Sequence, residues 1–394
     1  PIKSSAASDV YKRQILTRTS LNALCSGEPK TAHIIVFTMN IKAFKSKTNK
    51  KERSQVESHT GESLREVILI KIAVFDVKPY DITGLDRYGT ENGIAFKYFE
   101  TKLNIDTAGL AAGSDGVCVF VNDDLSEPVI DGLCSYGVRL IALRCAGFNN
   151  VDIRAAAGKI CVVRVPSYSP HAVAEHALAM LLTLLRKTHK AYLRTRDFNF
   201  SLTGLVGTNL YGKTVGVVGT GRIGRVFIDI CRGLGMHVIA YDVYPAADSD
   251  IQYVTLDRLF AESDVISLHC PLTPETTHII NGKSLEKMKD GVILINTSRG
   301  ALIDAEALLE HIKKKKIGGA CLDVYEEESD IFFEDLSDHI MDDDVLARLI
   351  SMPNVLVTSH QAFLTEDALD NIAKTTAENI ASFFRGEPPK NEVK

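Results

Sequence analysis

From Lys71 onward, short runs of continuously apolar residues recur between stretches with helical periodicity. The first four are 71-KIAVFDV-77, 116-GVCVFV-121, 139-RLIALRCAG-147 and 159-KICVVRVP-166. Six more follow: 214-TVGVVGTG-221, 237-HVIAYD-242, 265-VISLHC-270, 291-GVILINTS-298, 317-IGGACLDV-324 and 354-NVLVTSH-360. A strand that is apolar without alternation is buried on both faces, which is the mark of a parallel sheet covered by helices. Ten such strands exceed what one compact open sheet holds at this spacing, so the pattern predicts an α/β protein of two doubly wound parallel-sheet domains. The helical stretch beginning near His171 is apolar nearly all round and is expected to be buried between them. Its greasiest run, 172-AVAEHALAMLLTLL-185, carries Glu175 and His176 and falls short of the ~18 apolar residues of a membrane span.

One of these runs leads into a phosphate-binding pattern. Gly219-Thr220-Gly221-Arg222-Ile223-Gly224 reads GxGxxG. The hexapeptide alone is a weak signal, but here it follows a strand and opens a helix. The apolar positions of that helix (Ile223, Val226, Phe227, Ile230, Cys231 and Leu234) step by three and four, and Gly233 and Gly235 stop it. The first glycine permits the tight turn, and the second lets backbone N–H groups approach a pyrophosphate. The third lets helix and strand pack closely. Asp242, at the end of the next strand, stands where an acid accepts from the adenosine ribose hydroxyls. Its charge repels a 2′-phosphate, so NAD is expected rather than NADP.

Composition narrows the remaining classes. With 45 Lys and Arg against 50 Asp and Glu, the net charge of −5 argues against nucleic acid as a partner. The charge is uneven: residues 1–70 hold 12 basic and 6 acidic side chains, whereas the remainder holds 33 and 44. The leader 1–70 is Ser-rich and basic with little apolar periodicity, and is expected to be disordered, either a targeting peptide or an assembly artefact. The eight cysteines form no CxxC pair, so a disulfide scaffold or paired-cysteine zinc site is not expected, and the chain reads as cytoplasmic unless the leader directs it to an organelle. No metal is expected either. His171 and His176 lie off the spacing of a helical zinc pair, and the acidic run from Glu326 to Asp344 lacks the central glycine and regular acids of an EF-hand loop. Glu326 and Glu327 read as solvated neighbours of Glu328. The basic run 313-KKKK-316 reads as the cationic end of a helix begun near Ile303.

A nicotinamide enzyme acting on a 2-oxo acid needs a cation for the carboxylate and carbonyl, an acid to protonate the developing alkoxide, and a group that tunes that acid. Strand ends in the sheet of the GxGxxG turn offer all three. Arg299 follows 291-GVILINTS-298, His360 follows 354-NVLVTS-359, and Glu328 lies just past 317-IGGACLDV-324. Whether the three meet is not visible in their spacing.

The segments 294-LINTSRGALID-304, 322-LDVYEEE-328 and 358-TSHQAF-363, downstream of GxGxxG, resemble the D-isomer-specific 2-hydroxyacid dehydrogenases. Likeness to the fermentative D-lactate branch runs through 140-LIALRCAGFNNVD-152, 165-VPSYSPHAVAEHA-177, 265-VISLHCPLTPET-276 and 330-DIFFEDLSDHIMDDD-344, covering residues 71–394. The resemblance implies that Arg299, His360 and Glu328 form the catalytic set, with Glu328 favouring the protonated imidazole. It implies a carboxylate site on the backbone of Cys145, Ala146 and Gly147, with Tyr168 and Phe363 shaping the pocket. Besides the glycine turn, it sets Arg222, Ile223, Asp242, Cys270, Pro271, Thr276, Thr297, Ser298 and Asp323 at the NAD.

The implied architecture is a Rossmann-type NAD-binding domain over 169–364 and a flavodoxin-like substrate domain, discontinuous over 71–168 and 365–394. The helix 366-EDALDNIAKTTAENIASFF-384 returns to the first lobe. The implied reaction is reversible NADH-dependent reduction of pyruvate to D-lactate by a homodimer or homotetramer. Two alternatives stay open: a reductase of 2-oxoisocaproate, hydroxypyruvate or glyoxylate, and an NAD-sensing corepressor-like scaffold.

Overall fold

The computed structural model describes residues 69–247, 250–328 and 331–394, so the expectations for the leader lie outside the described residues, apart from its last two positions. The first lobe begins with β1 (Ile70–Val74), α1 (Pro79–Asn92), β2 (Ile94–Tyr98), β3 (Gly116–Val119) and α2 (Glu127–Ser135). It continues through β4 (Leu140–Leu143), α3 (Ile153–Ala156) and β5 (Cys161–Arg164). All its strands are parallel in the order β2-β1-β3-β4-β5. Every residue of β3 and β4 is buried, which is why these runs are apolar throughout.

Two helices, α4 (Pro170–Arg186) and α5 (Thr188–Arg196), cross to the second lobe. It holds β6 (Thr214–Val218), α6 (Arg222–Gly233), β7 (His237–Tyr241), α7 (Leu256–Glu262), β8 (Val265–Leu268), α8 (Gly282–Lys287) and β9 (Val292–Asn296). Then come α9 (Ala305–Lys313), β10 (Ile317–Leu322), α10 (Asp344–Ser351) and β11 (Val355–Val357). The sheet order is β11-β10-β9-β8-β6-β7. Beyond β7 the chain adds a single parallel bridge, Ala240 to Tyr253, a one-residue remnant of the strand that completes the usual dinucleotide-binding order. The strand order therefore reverses at β6, and the crevice opens above its carboxyl end, where the glycine turn sits.

The last helix, α11 (Glu366–Phe384), returns to the first lobe and packs on α1. The helices approach closely because Gly84 faces Ala373: a Cβ at 84 would stand 2.8 Å from the Ala373 Cβ. Tyr88 Oη donates to Asp370 Oδ2 at 2.8 Å across the same contact. The two doubly wound parallel-sheet domains expected from the apolar runs are thus present.

Three details differ from the sequence reading. The strand β2 was not expected: it is an edge strand, only Ile94 is buried, and Lys97 interrupts its apolar run. Helix α4 is not sandwiched between the lobes. Ala174, Ala177, Leu181 and Leu184 join the core of the second lobe beside α6, while His171, Glu175 and Ala179 form an exposed stripe. Glu326 is not merely solvated, since it pairs with His278 Nε2 at 2.5 Å. Among the described residues no helix is long and apolar enough to cross a membrane.

Candidate active site

The glycine turn is built as its spacing requires. Gly219 has φ +94°, and a Cβ there would lie 2.7 Å from the backbone of His269 and Cys270. A Cβ on Gly224 would lie 2.0 Å from the Gly219 carbonyl oxygen, so α6 packs on β6 only with hydrogen at that position. Gly221, the N-cap of α6, faces open space, which leaves the first turn's N–H groups accessible to an anion. Asp242 Oδ2 accepts from the N–H of Thr220 at 2.6 Å and from its hydroxyl at 2.9 Å, and Oδ1 accepts from Tyr244 N at 2.9 Å. Partial burial pushes this carboxyl up, but those hydrogen bonds and nearby Arg225 outweigh it and hold Asp242 below the ordinary carboxylate range. It is an anion at neutral pH.

Between the lobes, above the strand ends, lies a cavity of about 450 Å³. Cys145, Ala146, Gly147, Tyr168 and Phe363 line it from the first-lobe side; Ile223, Cys270, Pro271, Thr297, Ser298, Arg299 and His360 line it from the second. Apart from the glycine turn, exposed Arg222 and Asp242, which lie outside this lining, the sequence candidates converge here, with three qualifications. Thr276 turns its hydroxyl back to the Pro271 carbonyl (2.7 Å) and leaves the wall to Thr273. Asp323 is fully buried behind the wall. Glu328 stands behind His360 rather than on the surface of the cavity.

The catalytic candidates are fixed by local hydrogen bonds. Arg299 closes the β9 turn: Asn296 Nδ2 donates to the Arg299 carbonyl at 2.8 Å, and Arg299 Nη1 donates to Ser298 O at 2.6 Å. Its guanidinium lies over Gly147, where a Cβ would stand 2.5 Å from Nη2. In the 145–147 turn, Cys145 O accepts from Val165 N at 3.1 Å and Ala146 O from Arg164 Nη1 at 2.6 Å. His360 Nδ1 meets Glu328 Oε1 at 2.8 Å, which leaves Nε2 as the nitrogen available to the cavity. Glu328 is itself held by the Tyr325 N–H at 2.9 Å.

His360 sits at φ +53°, an uncommon backbone for a non-glycine residue, and its N–H donates to the Asp323 carbonyl at 2.7 Å. The Asp323 carboxylate accepts from the Thr358 hydroxyl (2.6 Å) and from the N–H groups of Gln361 (2.9 Å) and Ala362 (2.8 Å). The buried acid clamps the turn that carries His360, so it acts through that residue.

Neighbouring groups are kept out of proton chemistry. Burial lowers the His269 pKa to about 4, and its Nε2 meets the Ser267 hydroxyl at 2.8 Å, so this ring is neutral across the physiological range. Burial pushes the Cys145 thiol up to about 12 despite Arg144 and Arg299 nearby, and pushes the Tyr168 phenol up to about 12. Neither loses its proton near neutral pH.

Sequence reasoning missed several participants. His176 reaches Asp323 Oδ1 at 3.3 Å from α4; nothing in its spacing links it to a residue 147 positions later. Phe120 lines the cavity from a strand end, and Phe333, from the 330–344 segment, packs its ring on Phe120 and His360.

The residues present fit NAD. The Thr297 hydroxyl is buried beside the cavity without a hydrogen-bond partner, the Gly221 face is open, and apolar Ile223, Cys270 and Pro271 line the cavity. Comparison with known proteins agrees with this geometry. Residues 178–362 match the NAD-binding domain model of the D-isomer-specific 2-hydroxyacid dehydrogenases. D-lactate dehydrogenase of Escherichia coli is 52% identical over 328 residues, covering 82% of this chain and 100% of that protein. Its apo structure superposes with a TM-score of 0.76 at 49% identity, covering 82% and 100% of the two chains. The structure of the pyruvate reductase of Chlamydomonas reinhardtii gives 0.78 at 45% identity, covering 82% and 99%. Similarity of this extent runs through both lobes, and the chain therefore belongs to the D-isomer-specific 2-hydroxyacid dehydrogenases, as an NAD-dependent oxidoreductase.

Proposed function

We propose that the chain reduces pyruvate to D-lactate, and oxidises D-lactate in reverse. The observation that carries this reading is the aromatic enclosure around Arg299. Phe120, Phe363 and Tyr168, which line the cavity together with Arg299 and His360, follow one another with ring centroids 6.0 and 6.2 Å apart. These rings present an apolar wall that suits the methyl group of pyruvate.

In this reading the Arg299 guanidinium grips the substrate carboxylate and polarises the carbonyl, and the turn at Cys145, Ala146 and Gly147 flanks the carboxylate. NADH, when bound, supplies the hydride to the carbonyl carbon. His360 Nε2 delivers a proton to the carbonyl oxygen, while the Glu328 carboxylate on Nδ1 stabilises the imidazolium before transfer. In lactate oxidation the neutral imidazole accepts the hydroxyl proton instead.

Steady-state NADH oxidation across pyruvate, 2-oxobutyrate, 2-oxoisocaproate, hydroxypyruvate and glyoxylate tests the assignment. Pyruvate is expected to show the highest kcat/KM, with each added methylene costing about 10- to 200-fold. Preference for a bulkier oxo acid would assign the chain to another branch of the family, and no turnover on any of them would favour a corepressor-like scaffold.

The ribose role of Asp242 carries a separate expectation. Asp242→Ala removes an anionic acceptor and weakens NADH binding by roughly 10- to 100-fold. The repulsion of a 2′-phosphate disappears with it, so the NADH:NADPH affinity ratio narrows. Fluorescence titration with both cofactors measures this, and an unchanged ratio overturns the role.

We further propose that the protein is a homodimer or homotetramer. Phe198, Phe200, Leu202, Val206 and Tyr211 cluster in the connection after α5, each at least 70% exposed in the single chain. An apolar strip of this kind suits a second copy, and light scattering at the mass of one chain would exclude it.

A further inference from the structure

Phe333 carries a left-handed backbone, φ +71°, which is costly for a bulky side chain and persists only where the surroundings over-determine it. Its neighbours supply that constraint. Phe332 is buried in the core of the second lobe, whereas the Phe333 ring packs against the cores of both lobes. Glu334 reaches the first lobe, 3.6 Å from Lys78 Nζ and 3.8 Å from Lys102 Nζ. Lys78 in turn pairs at 2.9 Å with Asp76, itself at φ +48°. Three consecutive side chains thus point to the core of the second lobe, to the rings of His360 and Phe120, and to the first lobe.

The Phe333 ring meets the His360 imidazole at 5.8 Å with an interplanar angle of 31°, and meets Phe120 of the first lobe edge-on at 5.4 Å. His360 is also a left-handed residue, so its ring is aimed by a backbone that needs support. The Glu328 bond fixes Nδ1 but leaves the ring free to tilt about that contact.

We propose that Phe333 is a positioning residue for His360: its ring bears on the imidazole and fixes the tilt of Nε2, while Glu334 ties the segment to Lys78 and Lys102 across the cleft. The inference rests on the reading of His360 as proton donor and assigns a second function to the acidic connection between β10 and α10. Proton transfer is sensitive to this tilt because the donor must lie in line with the carbonyl oxygen as hydride arrives.

The test compares Phe333→Leu, Phe333→Tyr and Glu334→Gln with the parent in the full chain, using the best 2-oxo acid of the panel above. Phe333→Leu is expected to lower kcat by roughly 10- to 100-fold, with KM and NADH affinity changing far less. Phe333→Tyr keeps the ring and restores kcat to within about threefold on the same argument. Glu334→Gln loses less than Phe333→Leu. Nitrogen-15 spectra of the histidine rings in the free protein provide a readout independent of turnover: the His360 signals should move in Phe333→Leu and return in Phe333→Tyr. Parental kcat in Phe333→Leu overturns the proposal. So does equal loss in the Leu and Tyr variants accompanied by lower Tm and weaker NADH binding, which is the mark of a structural role. A parent inactive on every 2-oxo acid defeats the pyruvate reading alone; the ring signals then decide the positioning, and an unmoved His360 resonance rejects it.

Discussion

His360→Asn should lower kcat/KM for pyruvate reduction and lactate oxidation together, by about 10²- to 10⁴-fold, at every pH. Asparagine is the suitable replacement because it tolerates the left-handed backbone at φ +53° better than alanine. The loss then reports on proton transfer, and NADH affinity should stay close to that of the parent. Glu328→Gln gives the complementary result. The carboxylate lies 2.8 Å from Nδ1 and favours imidazolium by direct attraction. Removing its charge while keeping its shape takes the counter-charge away from the protonated ring, so kcat for reduction should fall. The kcat for lactate oxidation, which starts from the neutral imidazole, should suffer less. Equal losses of kcat in the two directions would mean that Glu328 does not serve the proton donor, and Asp323, whose carbonyl holds the His360 N–H, would be the next to test.

Which parts of this site could be read in the sequence follows from the range of the interactions that build them. The glycine turn was legible because each glycine answers a local steric demand: a left-handed φ at Gly219, an open face at Gly221 and the carbonyl against Gly224. Asp242 was legible because it lies one strand away in the same βαβ unit. Arg299 and His360 could be picked out as polar residues ending apolar strands, but their convergence depends on β9, β10 and β11 lying side by side, which only the resemblance implied. Strand β2 escaped notice because an edge strand needs little apolar sequence. Phe333 was illegible for a different reason. It belongs to a run of acids that reads as solvated loop, and its partners, His360 and Phe120, lie on different lobes. Thr276 and Asp323 show the limit of carrying motifs across: both stand near the cofactor groove, yet one hydroxyl faces its own loop and the carboxylate is consumed by the His360 turn.

Arg299→Lys keeps the positive charge and is nonetheless expected to cost about 10²- to 10³-fold in pyruvate kcat/KM, with KM raised and kcat lowered together. A planar fork can serve carboxylate and carbonyl from one rigid group, whereas an ammonium offers a point charge at the end of a flexible stem. Losing one or two charge-assisted hydrogen bonds, at about 1.5–3 kcal/mol each, gives a loss of that size. The guanidinium is also placed from both sides. Nη1 donates to the Ser298 carbonyl, and Nη2 lies so close to Gly147 that a methyl group there would stand 2.5 Å away. Gly147→Ala therefore displaces the fork without removing it, and should raise the pyruvate KM while NADH affinity stays at the parental value. The pair separates charge from geometry. If Arg299→Lys retains parental kcat/KM, the substrate is held by charge alone and the fork has no special role. If Gly147→Ala leaves KM unchanged, the guanidinium has room to move, and the close fit between the turn at Gly147 and the end of β9 does not control substrate binding.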